Sequence, residues 1–140
     1  MNDMSRIWRV PTPPPDRSLY EAMTRGFFGR CPACGRGRLF RSYLRVVNAC
    51  GVCGEEFSGH RADDAPAYVT LLIVAHVVGA GILMSDEVWP NSSMLWVAAF
   101  WLVVTALASL ILLPRAKGAV VGQQWALGMH GFGSQIGNKT

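Results

Sequence analysis

Two short segments carry the residues most able to do chemistry: Cys31-Pro32-Ala33-Cys34-Gly35 and Cys50-Gly51-Val52-Cys53-Gly54. In a Cys-x-x-Cys turn the backbone aims two thiolates at one ion. A glycine after the second cysteine permits the tight turn and lets amide groups approach the sulfurs. Two such knuckles supply four sulfurs, enough to close a tetrahedral site. The 15 residues between Cys34 and Cys50 give the spacing of a zinc ribbon. All 4 cysteines of the chain fall in this pattern, so Cys31, Cys34, Cys50 and Cys53 are the expected metal ligands. Zinc is the expected ion. Iron is the alternative, because four thiolates in a rubredoxin-like site suit both metals. Paired disulfides would require an oxidising compartment. A site closed by four sulfurs holds a fold and activates no water, which argues against metal-dependent hydrolysis.

The other candidates are polar groups in apolar surroundings. Apart from the phenol of Tyr68 at its start, His76 is the only ionisable side chain between Ala65 and Ser85, and an ionisable group at that depth in an apolar run is a functional candidate by default. Two readings stand: a neutral ring hydrogen-bonded to Thr105 or Ser109 of the following helix, or a ligand shared with a partner. Asp63 and Asp64 sit where that run begins, as helix caps or as a contact for a cation or a basic partner. Arg36, Arg38, Arg41 and Arg45, with Arg30, make a basic cluster between and beside the knuckles. Such a surface suits anionic lipid headgroups, and nucleic acid is the lesser alternative. No phosphate-binding glycine loop, nucleophile elbow or metalloprotease helix is present.

The elements that must position these residues follow from the distribution of charge. Of 140 residues 51% are apolar and only 16% charged, and the mean hydropathy is +0.25; soluble domains carry about 25% charged residues. Ten of the eleven arginines and seven of the nine acidic residues precede residue 65, for a net charge of +3 there. From Ala65 to Pro114 the only formal charges are Asp86 and Glu87. Residues 67–84 and 94–113 are uncharged runs, about 27 and 30 Å long as helices, and a bilayer core is about 30 Å thick. Two transmembrane helices are expected, joined by a tight loop over 85–93. Pro114 is expected to end the second. An all-soluble globular protein and a long disordered chain are both excluded.

The connecting loop lacks Lys and Arg, whereas Arg61 precedes the first helix and Arg115 and Lys117 follow the second. The positive-inside rule then places both termini in the cytoplasm. Trp89 and Trp96 at one face and Tyr68 at the other suit interfacial anchoring, and Trp101 is expected to pack deeper. The small pairs Ala75/Gly79 and Thr105/Ser109 are expected where the two helices meet, with a contact to another membrane protein as the alternative. Residues 1–24, with Pro11 and Pro13–Pro15, read as a flexible arm, in which Ser18 caps a short helix that Gly26 and Gly29 break. No apolar run of leader length follows the basic start, so no cleaved signal is expected. Residues 25–62 form the four-cysteine ribbon, with strand material from Leu39-Phe40 to Val46-Val47. The hairpin occupies 63–114. Residues 115–140 form a cytoplasmic tail, partly an interfacial helix with Val121 and Trp125 on one face; His130 is assigned no role. The expected fold is thus a small zinc-ribbon-like head of β-hairpin knuckles, followed by an α-helical transmembrane hairpin.

Arg30–Phe40, the second knuckle, Asp63–Tyr68, His76 and Pro114–Gly118 together resemble the bacterial membrane family catalogued as domain of unknown function 983, over about residues 25 to 130. Gly51 stands where that family's second knuckle often has proline. The resemblance implies a multi-pass protein of the bacterial inner membrane, with a zinc-ribbon-like head and no established activity. It also implies a partner, since such proteins are in some bacteria encoded near cytochrome oxidase and its assembly factors. Three functions are therefore expected in order: a non-enzymatic adaptor or assembly factor for a membrane complex such as cytochrome oxidase; an iron electron carrier or metal-transfer protein; and a membrane-tethered nucleic-acid-binding ribbon. The expected partners are the lipid bilayer and another membrane protein, not nucleic acid.

Overall fold

The structure is a computed structural model that describes residues 17–58, 64–129 and 132. Helix α1 spans Leu19–Phe27, strands β1 and β2 span Phe40–Ser42 and Arg45–Val46, and helices α2 and α3 span Ala65–Val88 and Met94–Ala126. The strands pair antiparallel, and Val47 N–H donates to Leu39 O at 2.9 Å. Both meet the expectation of strand material between the knuckles. Ser18 caps α1 by accepting from Glu21 N–H, as expected. Gly26, however, does not break the helix.

Each long helix exposes most of its apolar surface. About a tenth of the most apolar window of α2, and none of that of α3, is buried inside the molecule. Core helices of a soluble domain would be covered, so length, composition and exposure all suit a lipid environment. Along α2 the buried residues Pro66, Thr70, Val74 and Ser85 form one stripe at helical spacing, and this stripe meets α3. One close approach is at Gly81, where a Cβ would lie 1.9 Å from the Trp101 ring. Trp101 Nε1–H donates to Ser85 Oγ at 2.8 Å, and Ser85 Oγ–H donates to Gly81 O at 2.8 Å. Trp101 therefore packs between the helices, as expected. The pair Ala75/Gly79 does not: a Cβ at Gly79 would meet nothing within 4 Å. The loop is also shorter than expected, because α2 runs on through Asp86 and Glu87 to Val88. Ser93 caps α3 by accepting from Trp96 N–H.

Pro114 does not end α3. A proline inside a helix removes one N–H and leaves the carbonyl four residues earlier without its partner. That carbonyl belongs to Leu110, and the phenol of Tyr43, in the β1–β2 turn, donates to it. Next to it, Lys117 Nζ donates to Leu44 O at 2.7 Å and Arg115 to Ile111 O at 3.1 Å. The helix continues 12 residues beyond Pro114, to Ala126. Residues 115–126 are thus the end of α3 rather than a separate interfacial tail, and Val121 and Trp125 are buried in the head.

The head's core joins Ala22 of α1, Leu39, Val46 and Phe57 of the ribbon, and Val121 and Trp125 of α3. Helix α1, part of it inside the arm expected over 1–24, lies against the end of α3 with backbone nearly touching backbone. A Cβ on Gly118 would sit 1.9 Å from Gly26 O, and one on Gly122 would sit 2.3 Å from Ala22 O. Two small residues four apart on each helix permit this approach. Trp125 closes the far end: its Nε1–H donates to Glu55 Oε1 at 2.9 Å, and Arg17 lies 4.3 Å over its ring.

Gly118→Val should force α1 from α3 at a cost of about 1–3 kcal/mol, read as a lower thermal midpoint in detergent and faster tryptic cleavage after Arg25. Gly79→Ala, placed in open space, should leave both unchanged. Tyr43→Phe should cost about 1–3 kcal/mol by stranding the Leu110 carbonyl, with metal content retained.

Candidate metal centre

Each knuckle is built the same way. Gly35 N–H donates to Cys31 O at 2.8 Å, and Gly54 N–H to Cys50 O at 2.9 Å. Gly35 and Gly54 have φ of +68° and +74°, a left-handed conformation that a side chain would strain. The ribbon carries the knuckles toward each other, as Cys31 N–H donates to Gly37 O and Cys50 N–H to Glu55 O, both at 2.8 Å. The four sulfurs end within 4.8 Å of one another. Cys31 and Cys53 are 3.7 Å apart, and Cys34 and Cys50 are 3.9 Å apart. Both are far longer than the roughly 2.05 Å of a disulfide, and all four cysteines are free thiols in the structure. A tetrahedral ion with bonds of about 2.3 Å to sulfur requires sulfurs roughly 3.8 Å apart. The cluster fits a metal ion; zinc and iron suit it alike. Bound there, the ion would cross-link the two knuckles.

Two residues that the sequence pattern did not single out complete the site. A Cβ on Gly37 would lie 2.2 Å from Cys50 Sγ, so only glycine leaves room for the sulfur. Arg25 of α1 reaches over the first knuckle and donates to Pro32 O at 3.2 Å and Ala33 O at 3.4 Å, while pairing with Glu21 at 3.1 Å. The only sequence signal for Gly37 is its place as the second glycine of Gly35-Arg36-Gly37. Arg25 carries none.

The sulfurs are not equivalent. Burial pushes the Cys31 thiol well up, whereas the backbone amides of Gly37 and Arg36 draw Cys34 down to about 6. At Cys50 burial opposes ionisation, and the amides of Cys53 and Val52 outweigh it. Cys53 has an exposed residue surface, but its sulfur lies in the cluster and is pushed up, mainly by desolvation.

The remaining candidates are scattered. His76 lies outside the buried stripe of α2 and is exposed, with Nδ1 2.7 Å from Leu72 O. It does not reach Thr105, which donates to Trp101 O in its own helix. Asp64 holds the N-cap position of α2 but makes no side-chain cap hydrogen bond; Pro66, in the first turn, lacks one of the N–H groups a cap would satisfy. Asp63 lies outside the described residues, as do Arg61 and His130. Arg36, Arg38, Arg41 and Arg45 are exposed, and none forms an ion pair among the described residues.

A family model described as "Protein of unknown function (DUF983)" matches residues 40–125, more than half of the chain. The chain belongs to this family. The match starts at β1 and ends at Trp125, so it is narrower than residues 25 to 130: it holds Cys50, Cys53, His76 and the whole hairpin, and leaves Cys31 and Cys34 outside. No curated protein and no solved structure matches the chain. Half of the sulfur set of this DUF983 protein thus comes from residues beyond the matched segment.

About one metal ion per chain is expected in purified protein, lost in Cys31→Ser and in Cys50→Ser. Gly37→Ala should weaken binding about tenfold or more, measured by chelator competition. Loading at pH 7 should release about two to three protons per ion, since Cys31 and Cys53 hold theirs there and Cys34 has lost most of its own. Affinity should fall steeply as pH drops through 6 and Cys34 also protonates. Pulsed metal addition in weak buffer reads the proton count.

Proposed function

We propose that this DUF983 protein is a non-enzymatic adaptor of the bacterial inner membrane, with structural zinc in its ribbon, both termini in the cytoplasm, and a role in assembling a membrane complex. A respiratory oxidase is the first candidate complex, on the family resemblance. The observation that carries this reading is the way a small head with four clustered cysteines is fixed to a long apolar helix whose surface the molecule leaves bare. A rigid head on an uncovered hairpin suits presenting a surface to another membrane protein. A four-sulfur site has no open position for substrate, which supports a scaffold over an enzyme.

His76 supports the same reading. Leu72 O can only accept, so Nδ1 carries the hydrogen of that contact. In the neutral ring Nε2 is then an acceptor, on a face that the hairpin itself does not cover. A polar atom facing lipid is costly, and a donor on a neighbouring helix would relieve the cost.

Affinity purification after cross-linking in native membranes should recover a membrane protein partner. His76→Leu should reduce that recovery several-fold without changing metal content. Recovery of no partner would overturn the adaptor. The iron electron carrier is favoured by one feature, an amide aimed at sulfur: Val52 N–H lies 3.5 Å from Cys50 Sγ, and such contacts tune iron–sulfur potentials. Metal analysis with an absorption spectrum separates the two, since colourless zinc leaves the adaptor and thiolate-to-iron bands would replace it.

A further inference from the structure

Where α3 leaves its uncharged stretch, the head and the helix enclose an open groove. Phe27, Phe28 and Tyr43 line it from the head, with Ile111, Pro114 and Arg115 from α3. Phe28 is 72% exposed although it is a large apolar ring, and Phe27 meets it edge-on at 5.4 Å between centroids. Beyond Phe28 and Phe40 the same surface continues into a second groove lined by Arg30, Arg36 and Arg38. The wall therefore changes from aromatic to basic within a few residues. None of these arginines, nor Arg115, is in an ion pair among the described residues.

Depth fixes what this wall faces. Met94 to Pro114 is 21 uncharged residues, about 31 Å of helix, matching a hydrocarbon core of about 30 Å. Arg115 is then the first charge at the headgroup level, and Phe27 and Phe28 stand beside it. We propose that this two-part groove is a binding site for an anionic phospholipid, with acyl chain against Phe27, Phe28 and Ile111 beside Arg115, and phosphate held by Arg30 and Arg38 of the adjoining basic half. Complementarity of charge and polarity selects this occupant. A soluble phosphate would leave the aromatic half wet, and a zwitterionic lipid would leave the arginines without net counter-charge. The site rests on the membrane-spanning reading of α2 and α3, but not on the adaptor role.

Native mass spectrometry of the full chain in detergent, titrated with phosphatidylglycerol or phosphatidylcholine, tests it. The expected result is retention of phosphatidylglycerol at least about tenfold over phosphatidylcholine. Arg30→Gln/Arg38→Gln/Arg115→Gln should abolish that preference, and Arg41→Gln/Arg45→Gln, at residues that line a separate groove with Leu44 and Lys117, should keep it. Phe28→Glu is a second variant at a mostly exposed position, expected to lose the preference by repelling phosphate. Equal retention of the two lipids, or preference unchanged in both the triple variant and Phe28→Glu, overturns the site. Displacement of the lipid by excess inorganic phosphate would reassign it to a soluble anion and also overturns it. Carbonate washing of membranes reads the underlying assumption separately: release of the chain refutes the membrane span, whereas a retained chain without lipid preference refutes only the site.

Discussion

The carbonyl that Pro114 leaves without an amide is the point on which the architecture turns. An unsatisfied carbonyl at such a point costs about 1–3 kcal/mol, and helices usually stop or kink at a proline. Here the phenol of Tyr43 supplies the missing donor, and Lys117 ties the same turn to the next turn of helix through Leu44 O. The ribbon is therefore part of what lets α3 run through its proline. In return, the helix beyond Pro114 gives the ribbon a wall, and Val121 and Trp125 complete a core that a ribbon of about thirty residues could not bury alone.

The metal centre and this contact belong to one folding unit. Tyr43 and Leu44 lie between Cys34 and Cys50 in the chain, so an ion joining the knuckles closes a loop around the turn that reaches α3. Metal binding in such small units is largely folding free energy. Loss of the ion would release not only the knuckles but also the group that satisfies Leu110. A zinc ribbon tethered by a flexible linker would behave otherwise, with the hairpin indifferent to the state of the sulfurs.

The parts legible in the sequence are those set by local pattern: two uncharged runs of membrane length, the paired knuckles, the Ser18 cap and the strands around the turn. The features that local pattern does not reveal depend on partners distant in sequence. Pro114 looked like a stop because a proline's cost is local, whereas its relief comes from Tyr43, 67 residues away from Leu110. Gly26 looked like a breaker by the same local logic, yet its value is the absence of a Cβ facing Gly118. The spacing of Gly118 and Gly122, matched by Ala22 and Gly26, holds that information, but spacing alone does not say which small pair meets a helix and which, like Ala75/Gly79, does not. The outward turn of His76 was hidden for a related reason, since a helix apolar on every side carries no sequence mark of its buried stripe.

That outward turn has an energetic logic. Thr105 and Trp101 settle their hydrogen bonds within α3 or on Ser85, so the helix interface is closed without the imidazole. The ring's Nδ1–H is satisfied one turn back at Leu72 O, which removes part of the cost of keeping the group at mid-depth. The remaining acceptor is a single atom, a burden the hairpin can carry alone but one that any donor-bearing helix would lighten. The head packs against the end of α3, and the Trp101–Ser85 contact fixes α2 to α3. His76 is thereby held at a set depth and direction, and a residue so constrained can favour one neighbour over another rather than merely tolerate any.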